Sequence, residues 1–291
     1  MNAYQEITEK IIEKMQSGCI PWHQPWARIL NKAVKHSNGT PYSVLNQMLL
    51  GGIPGEYITF NQTEKEGGHV KKGAKSSRIY LWKHSDKKKK EDDMKDADDT
   101  DEKKIREEDG FWFLKRYNVF NIEDTEGVTP KWYDKAPDTP AENVKSAELV
   151  LADYICRNDG LSIVDADSAD YDEASDKVLM PDIIRFRSKE LYYKTLFHQI
   201  AHSTAREERL ARSADSAAFT KDYDEREDLL AEICSAMVCS FAGLDIEKTV
   251  EDTAAYVDRW IPVLRHNPRM IVWATRRAEE AARFILNDMA A

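Results

Sequence analysis

Cysteine is scarce in this sequence: its 291 residues contain four, Cys19, Cys156, Cys234 and Cys239. So few scattered thiols exclude a disulfide framework and a zinc site built from thiolates. Long apolar stretches are also absent, because no uncharged run approaches the ~20 residues that a membrane-spanning helix requires. The first residues lack the basic start and apolar core of a signal peptide, so we expect a cytoplasmic protein without membrane contact.

The composition is that of a folded protein. Hydrophobic residues make up 42% of the chain and aromatic residues 10%, which is too rich for a disordered segment. At roughly 150 residues per domain, this length predicts about two domains. Such domains bury ordinary hydrophobic cores without disulfides or structural metals.

Charge is distributed unevenly along the chain. The formal net charge is -10, which alone argues against a nucleic-acid partner. Residues 1–83, however, contain 11 Lys and Arg against 6 Asp and Glu, whereas residues 111–291 contain 23 against 34. A basic first segment joined to an acidic remainder is typical of a polyanion-binding module attached to another domain, although ordinary surface variation also produces such a difference.

Periodicity predicts helices and a hairpin in the first half. Residues 4–15 carry Ile and Met at helical spacing, and a second apolar helix follows Tyr42. Residues 79–83 and 111–120 have the aromatic and apolar content of strands, and they predict a hairpin whose tip is residues 84–110. That tip is almost entirely Lys, Asp and Glu, which predicts a disordered loop.

The second half is predicted to be mostly helical. Three prolines mark residues 128–140 as a linker between domains. Beyond the linker the pattern predicts two strands, at 161–164 and 177–180, and five helices, at 141–156, 191–204, 224–241, 246–264 and 270–289. The predicted fold class is therefore α+β, with a mixed α/β-sheet domain at 1–127 followed by a mostly helical domain at 141–291.

A pair of histidines on one predicted helix is the strongest metal-site candidate. His198 and His202 stand four residues apart, so both imidazoles lie on one face, within reach of one divalent ion. On the next helix Asp228 and Glu232 have the same spacing in an apolar segment, where a buried carboxylate needs a partner. The hypothesis is a metal held by His198, His202 and Asp228, with Glu232 orienting one histidine.

Two simpler interpretations of these residues stay open. The histidines also fit a solvent-facing helix surface, and the carboxylates fit a solvated acidic helix start that favours the helix dipole. The second interpretation accounts well for Glu225 and Glu227. It accounts poorly for Glu232, which lies nearly two turns inside the predicted helix.

Aromatic and basic residues among the first 120 positions predict single-stranded nucleic-acid binding. Unstacked bases need aromatic faces, and the phosphates need Lys or Arg spaced along them. No basic recognition helix is evident, which disfavours duplex readout. Most of the aromatic residues are expected to lie in the core. The candidates are Trp22, Trp26, Tyr42, Lys71, Lys72, Lys75, Arg78, Lys83, Lys115 and Arg116.

The order of motifs in the second half is specific. His198-Gln199-Ile200-Ala201-His202-Ser203-Thr204 is followed by Arg209-Leu210 and then by residues 227–233 on the next helix. These segments resemble the zincin-type metallopeptidase domain of ArdC-like antirestriction proteins. The resemblance implies a zincin-like fold and a divalent metal, with zinc as the expected ion, and it favours Asp228 as the acidic ligand over Glu227 and Glu232.

Motifs of the first half resemble the same family's single-stranded DNA-binding domain. They are Ile20-Pro21-Trp22, Thr40-Pro41-Tyr42 with Leu45-Asn46, Phe60-Asn61-Gln62, and Val70-Lys71-Lys72-Gly73. The two resemblances together cover most of the chain outside residues 84–110. They add Asn46 to the DNA-binding candidates, and they imply that the chain protects DNA of a mobile element from host restriction.

Gln199 departs from the family's pattern. Zinc peptidases have Glu after the first histidine, and this Glu takes a proton from metal-bound water. An amide does not act as a base near neutral pH, so we expect a site that binds metal but is hydrolytically weak or inactive. The alternatives are an active metal-dependent peptidase and a metal-free scaffold that uses the helical domain for contacts with a protein partner.

Overall fold

The structure, a computed structural model, describes residues 2–23, 33–85, 111–132, 146–212, 223–246, 249 and 253–287. Eight helices and nine strands lie within these ranges. Those of the first half are α1 (Ala3–Gln16), β1 (Ala33–Lys35), α2 (Val44–Leu49), β2 (Gly55–Ile58), α3 (Phe60–Lys65), β3 (His69–Val70), β4 (Ser77–Ser85), β5 (Phe111–Asn121) and β6 (Thr125–Glu126). Those of the second half are α4 (Ala147–Arg157), β7 (Ser162–Asp165), β8 (Asp170–Asp172), β9 (Lys177–Met180), α5 (Lys189–Ser203), α6 (Tyr223–Phe241), α7 (Thr253–His266) and α8 (Met270–Ile285).

Polar side chains fix where α1 and α3 begin. The Asn2 side chain accepts from the Gln5 backbone N–H, and the Gln5 side chain accepts in return from the Asn2 N–H. Thr59 and Gln62 make the same reciprocal pair at the start of α3. Each pair satisfies two N–H groups that the first turn of a helix leaves without a partner.

The largest sheet has four strands in the order β1-β2-β5-β4. β1 runs parallel to β2, whereas β5 is antiparallel to both β2 and β4. β4 and β5 pair from Ser77 opposite Val119 to Ser85 opposite Phe111, which confirms the predicted hairpin. A second sheet pairs β3 with β6, and a third, in the second half, has the order β7-β9-β8.

The β4–β5 hairpin lies between two groups of buried side chains. Ile79 and Val119 contribute to a small cluster on one face. Tyr80 and Leu114 point to the opposite face, because successive strand residues alternate, and they join the main core. That core continues through apolar residues of α1 and α2 into helices α4 to α8. Side chains from both halves of the chain therefore share one hydrophobic core.

Hydrogen bonds also connect the halves. The Thr8 hydroxyl on α1 donates to the Pro268 carbonyl at 2.8 Å, and the Val44 N–H at the start of α2 donates to the Glu279 carboxylate on α8 at 3.2 Å. The α1 and α2 helices are thus bound to the helical half as well as to the sheet beside them.

The predicted domain boundaries stay a prediction. Residues 86–110 of the charged segment and residues 133–145 around the linker lie outside the described residues. His84 and Ser85, placed in the loop by sequence, belong to β4. At the start of the predicted linker, the Lys131 and Trp132 N–H groups donate to the buried Glu56 carboxylate.

The fold class is confirmed: a mixed α/β-sheet half precedes a mostly helical half. Strands β1, β3, β6 and β8 were not predicted, because two or three residues are too few to show alternation. Within the part of the chain that the structure describes, no helix is long and apolar enough to cross a bilayer.

Candidate metal centre and nucleic-acid surface

Two packed helices carry the metal-site candidates. Ser188 caps the start of α5, because its side chain accepts from the Leu191 N–H. One face of α5 is buried in the core. α6 packs alongside α5 and is buried around Leu229 and Ile233. Because both helices keep their apolar faces in the core, the polar residues beside those faces meet at the seam between the helices.

At this seam three side chains bring ligand atoms together. The Nε2 atoms of His198 and His202 are 3.2 Å apart, and His198 Nε2 lies 3.2 Å from Asp228 Oδ1. One ligand atom from each residue lies within 4.8 Å of the other two, and all three residues are half-buried. The spacing of His198 and His202, and the helix phase of Asp228, thus bring these residues to one point.

Glu232 occupies a different side of His198. Its Oε1 lies 3.4 Å from His198 Nδ1, the ring nitrogen that faces away from His202 and Asp228. Glu232 is therefore not part of the three-residue group, and it lies where a residue that orients the His198 ring would stand. Because a carboxylate only accepts hydrogen bonds, it keeps the proton of a neutral His198 on Nδ1 and leaves the Nε2 lone pair available.

Glu227 forms a buried ion pair with Arg212. Arg212 Nε and Nη2 each donate to the Glu227 carboxylate at 3.1 Å, and the exposed fractions of these two residues are 1% and 5%. The same guanidinium donates to the Thr204 hydroxyl at 2.8 Å and the Ala201 carbonyl at 3.1 Å. Arg212 therefore connects the end of α5 to the start of α6. Its partners Ala201 and Glu227 directly precede His202 and Asp228 in the sequence.

The pKa values of the two imidazoles diverge. Burial alone lowers the pKa of His198, but hydrogen bonds to the Asp228 and Glu232 carboxylates outweigh burial and raise that pKa to about 9. Burial and the charge of His198 lower the pKa of His202 to about 3. Both carboxylates contact His198 directly, so its pKa rises while that of His202 falls.

The carboxylates of α6 stay ionised. Burial raises the pKa of Asp228, but the hydrogen bond to His198 and the Arg259 guanidinium keep it below its usual value. Burial likewise opposes ionisation of Glu232, yet His198, His23 and Lys194 hold its pKa well below the usual range. The seam therefore has two ionised carboxylates beside two imidazoles, with Arg259 as the charge partner of Asp228 and Lys194 as that of Glu232.

The donor set fits a divalent metal ion. Two imidazole nitrogens and one carboxylate oxygen are common ligands of zinc and similar ions, and catalytic sites often have three protein ligands. Ligand atoms that each lie about 2.1 Å from one ion at a tetrahedral angle are about 3.4 Å apart. The two 3.2 Å separations at the seam are close to that value. Gln199 follows His198 on α5 and is half-buried.

Three residues around the carboxylates were not found by sequence reasoning. The Tyr256 hydroxyl donates to Glu232 Oε2 at 2.9 Å, and Lys194 Nζ lies 3.4 Å from the same oxygen. Arg259, one turn after Tyr256 on α7, pairs with Asp228. The spacing of Tyr256 and Arg259 on one helix face was a usable signal, but nothing in the sequence indicates that α7 lies beside α6.

Three of the predicted DNA-binding residues belong to the core. Trp22 is fully buried, Tyr42 is 6% exposed, and Asn46 is 1% exposed. The Asn46 amide donates to the Tyr80 carbonyl and accepts from the Tyr80 N–H, so it binds α2 to β4. A base has no access to these side chains, which corrects their prediction. Trp26 lies outside the described residues.

The basic candidates differ in whether their charged groups have a partner within the protein. Arg78 and Arg116 both pair with Glu6 of α1, at 3.3 and 2.8 Å. Lys71 donates to the Glu123 carbonyl at 2.7 Å. Among the basic candidates, and within the residues that the structure describes, Lys72, Lys75, Lys83 and Lys115 are exposed and have no ion pair.

An exposed aromatic pair lies at the end of the hairpin where residues 86–110 connect β4 to β5. Trp112 is 52% exposed, and its ring lies 5.1 Å from that of His84, directly opposite on β4. Lys83 precedes His84, and Lys115 follows Trp112 by three residues on β5. Alternation cannot predict which aromatic residues of a strand reach solvent when both faces of its hairpin are covered, so the exposure of Trp112 was missed.

Each half of the chain is similar to a described family. Residues 1–120 match the N-terminal domain of the anti-restriction factor ArdC. Residues 151–277 match a zincin-like metallopeptidase family. The two matches lie in the same order as the two predicted halves.

A solved structure has the same fold over the whole chain. The antirestriction protein ArdC of plasmid R388, in its metal-free crystal structure, is 28% identical to this chain with a TM-score of 0.68. The alignment covers 100% of this chain and 98% of that one. A second crystal structure of the R388 protein contains Mn(II), and its TM-score is 0.66.

Two curated relatives align along almost the whole chain. The uncharacterised protein y4eC of Sinorhizobium fredii is 28% identical over 96% of this chain and 90% of its own length. The DNA primase TraC of Escherichia coli is also 28% identical, over 97% of this chain. This chain spans only 20% of the length of that primase.

Proposed function

The chain belongs to the ArdC-like proteins, and on that premise we propose that it is an antirestriction protein of a mobile element. In this proposal the first half binds single-stranded DNA, and the zincin-like half holds a divalent metal without efficient peptide hydrolysis. The observation that carries the proposal is the convergence of three ligand atoms from His198, His202 and Asp228 within 4.8 Å.

The metal half of the proposal names zinc as the ion. His198 and His202 supply imidazole nitrogens, Asp228 supplies a carboxylate oxygen, and Glu232 holds the His198 ring. When bound, the ion supplies Lewis-acid chemistry. Support for a divalent metal also comes from the Mn(II)-bound crystal structure of ArdC of R388.

Loss of one imidazole is expected to weaken metal binding severely. Structural zinc sites with four ligands contribute ~10–16 kcal/mol, or about 3 kcal/mol per ligand, so His198→Ala should lower Zn²⁺ and Mn²⁺ affinity at least ~100-fold. Isothermal titration measures Zn²⁺ binding, and electron paramagnetic resonance of free Mn²⁺ measures the second ion. His69→Ala is the matched control, because that side chain is 69% exposed and pairs with Glu126. Equal affinities of the two variants would exclude the site.

Gln199 is the reason to propose weak or absent hydrolysis. A peptidase needs a base that accepts a proton from water at the metal, and the Gln199 carboxamide does not accept it near neutral pH. The competing function is an active metal-dependent peptidase, which the complete set of three ligand residues favours. Turnover of casein by the unsubstituted chain with added Zn²⁺ would establish that competing function.

The DNA half of the proposal is assigned to the hairpin and the turn that precedes it. Lys72 and Lys75 lie in that turn, while Lys83 and Lys115 lie toward the loop end of the hairpin, close to Trp112 along the strands but on the opposite face. The eight-residue step from Lys75 to Lys83 spans about 26 Å along an extended strand. Unpaired lysines at both ends, with an exposed indole near one of them, suit a flexible single strand that stacks its bases.

Removal of these lysine charges is expected to weaken DNA binding and its salt dependence together. Each lysine that contacts a phosphate of a single strand contributes about 0.7 to the slope of log affinity against log salt. The quadruple change of Lys72, Lys75, Lys83 and Lys115 to Ala should therefore lower both quantities, as measured by fluorescence anisotropy with an oligonucleotide. Trp112→Ala should cost ~1–3 kcal/mol of binding free energy with little change in slope.

A lysine of the other half provides the control. Lys177 is exposed on β9, and Lys177→Ala should leave both affinity and salt slope unchanged. An unaltered salt slope in the quadruple variant would exclude this surface as the binding site for DNA.

A further inference from the structure

Trp22 reaches the metal centre from the first half of the chain. Its indole is fully buried, and its Nε1 donates to the Tyr256 hydroxyl at 2.8 Å. The two residues are 234 positions apart in the sequence. Trp22 lies in a 3₁₀ turn (Pro21–His23) after α1, and this turn packs against α6. Neither α5 nor α6 supplies this contact, so it belongs to the junction of the two halves.

The direction of each hydrogen bond is fixed by chemistry. The indole N–H only donates, so the Tyr256 oxygen accepts from Trp22. The single Tyr256 proton then goes to Glu232 Oε2, 2.9 Å away. Glu232 only accepts, so its Oε1 offers an acceptor to His198 Nδ1, which lies 3.4 Å away. The two hydrogen bonds therefore run in one direction, from Trp22 through Tyr256 to Glu232. The other oxygen of the same carboxylate faces His198.

We propose that Trp22 is a positioning residue of the metal centre, which acts through Tyr256 and Glu232 to hold the His198 ring with Nε2 toward the ion. The inference rests on the metal site of the proposed function and deepens it. Groups that orient a metal-bound histidine commonly change metal affinity 10–100-fold when they are removed. The junction between the two halves thereby helps to set the affinity of the metal site.

Lys194 supports this assignment of Glu232. Lys194 precedes His198 by one turn of α5, and its Nζ lies 3.4 Å from the Glu232 carboxylate. A positive charge on one side and a hydroxyl on another keep the carboxylate in a single orientation, because each donor occupies its own lone-pair direction. With Tyr256 removed, Glu232 keeps its charge partner but loses the donor that fixes its rotation.

A double-mutant cycle on the full chain tests the proposal. Mn²⁺ affinity is measured by electron paramagnetic resonance for the unsubstituted chain, Trp22→Phe, Tyr256→Phe and the double variant. We expect ~10-fold weaker binding for each single variant, from the low end of the range for orienting groups. The double variant should be no weaker than Tyr256→Phe, since Trp22 acts through Tyr256. The absorption bands of bound Co²⁺ should shift in the same variants, because they report the ligand geometry.

A core substitution separates positioning from stability. Ile12 is fully buried in the same core, and its side chain has no hydrogen-bonding group with which to join the series. Ile12→Val should lower the thermal midpoint and leave Mn²⁺ affinity unchanged. Additive effects in the cycle, or unchanged affinity in both single variants, would overturn this inference while the metal site stands. Failure of the unsubstituted chain to bind Mn²⁺ would overturn the metal site and this inference together.

Discussion

Gln199→Glu is expected to raise metal-dependent peptide hydrolysis by about 10²- to 10⁴-fold, the usual contribution of a positioned general base. The substitution exchanges an amide for a carboxylate of nearly the same size, so the packing of α5 is preserved. The ligand set of His198, His202 and Asp228 is already assembled. In the proposed function, the Gln199 amide stands where hydrolysis needs a group that accepts a proton from water at neutral pH.

Two further variants make this experiment decisive. Gln199→Ala should stay as inactive as the unsubstituted chain, because it also lacks a base. His198→Ala introduced into the Gln199→Glu chain should return hydrolysis to background, since the activity then requires the metal. Release of peptides from casein, with and without a chelator, is the measurement. A Gln199→Glu chain that binds metal but hydrolyses nothing would mean that the zincin-like half has no peptidase geometry to restore.

The metal centre was largely predictable because its parts are local on two helices. A four-residue spacing fixes the face of His198 and His202, and the same spacing fixes that of Asp228 and Glu232. Helix phase then favoured Asp228 as the acidic ligand. The sequence left open whether the two helices pack together, and the structure answers this at the α5–α6 seam.

The supporting residues were not predictable because they are distant in sequence. Tyr256 and Arg259 reach Glu232 and Asp228 from another helix, and Trp22 arrives from the far end of the chain. No periodicity within one segment encodes which helices become neighbours. Sequence patterns therefore found the three residues that come together at the seam and missed the groups that hold them in place.

Aromatic residues of the first half show the opposite difficulty. Composition predicts that some of them contact bases, but burial decides which of them are accessible to a base. Trp22 and Tyr42 were chosen and are buried, whereas Trp112 was not chosen and is half exposed. An indole has the same sequence signature in a core and on a binding surface, so the choice requires the packing of α1 and α2 against the hairpin.

Arg212→Ala is expected to lower the free energy of unfolding by about 3–5 kcal/mol, the cost of breaking a buried ion pair from one side. Removing the guanidinium leaves the Glu227 carboxylate buried without its bidentate partner. The Thr204 hydroxyl and the Ala201 carbonyl lose a donor in the same step. Urea denaturation followed by circular dichroism measures the change, since a lower midpoint at constant slope reports stability alone.

An exposed arginine and a double replacement distinguish this buried pair from ordinary surface charge. Arg276→Ala should cost less than ~0.5 kcal/mol, because that side chain is 69% exposed and pairs only with Glu280 along its own helix. Arg212→Met combined with Glu227→Leu should recover much of the loss, since apolar replacement of both partners removes the unpaired charge. If the Arg212–Glu227 pair also fixes the position of Asp228 at the seam, the double variant should bind Mn²⁺ more weakly than the unsubstituted chain, because Glu227 adjoins Asp228. A double variant with the stability and the Mn²⁺ affinity of the unsubstituted chain would limit Arg212 to charge compensation for Glu227.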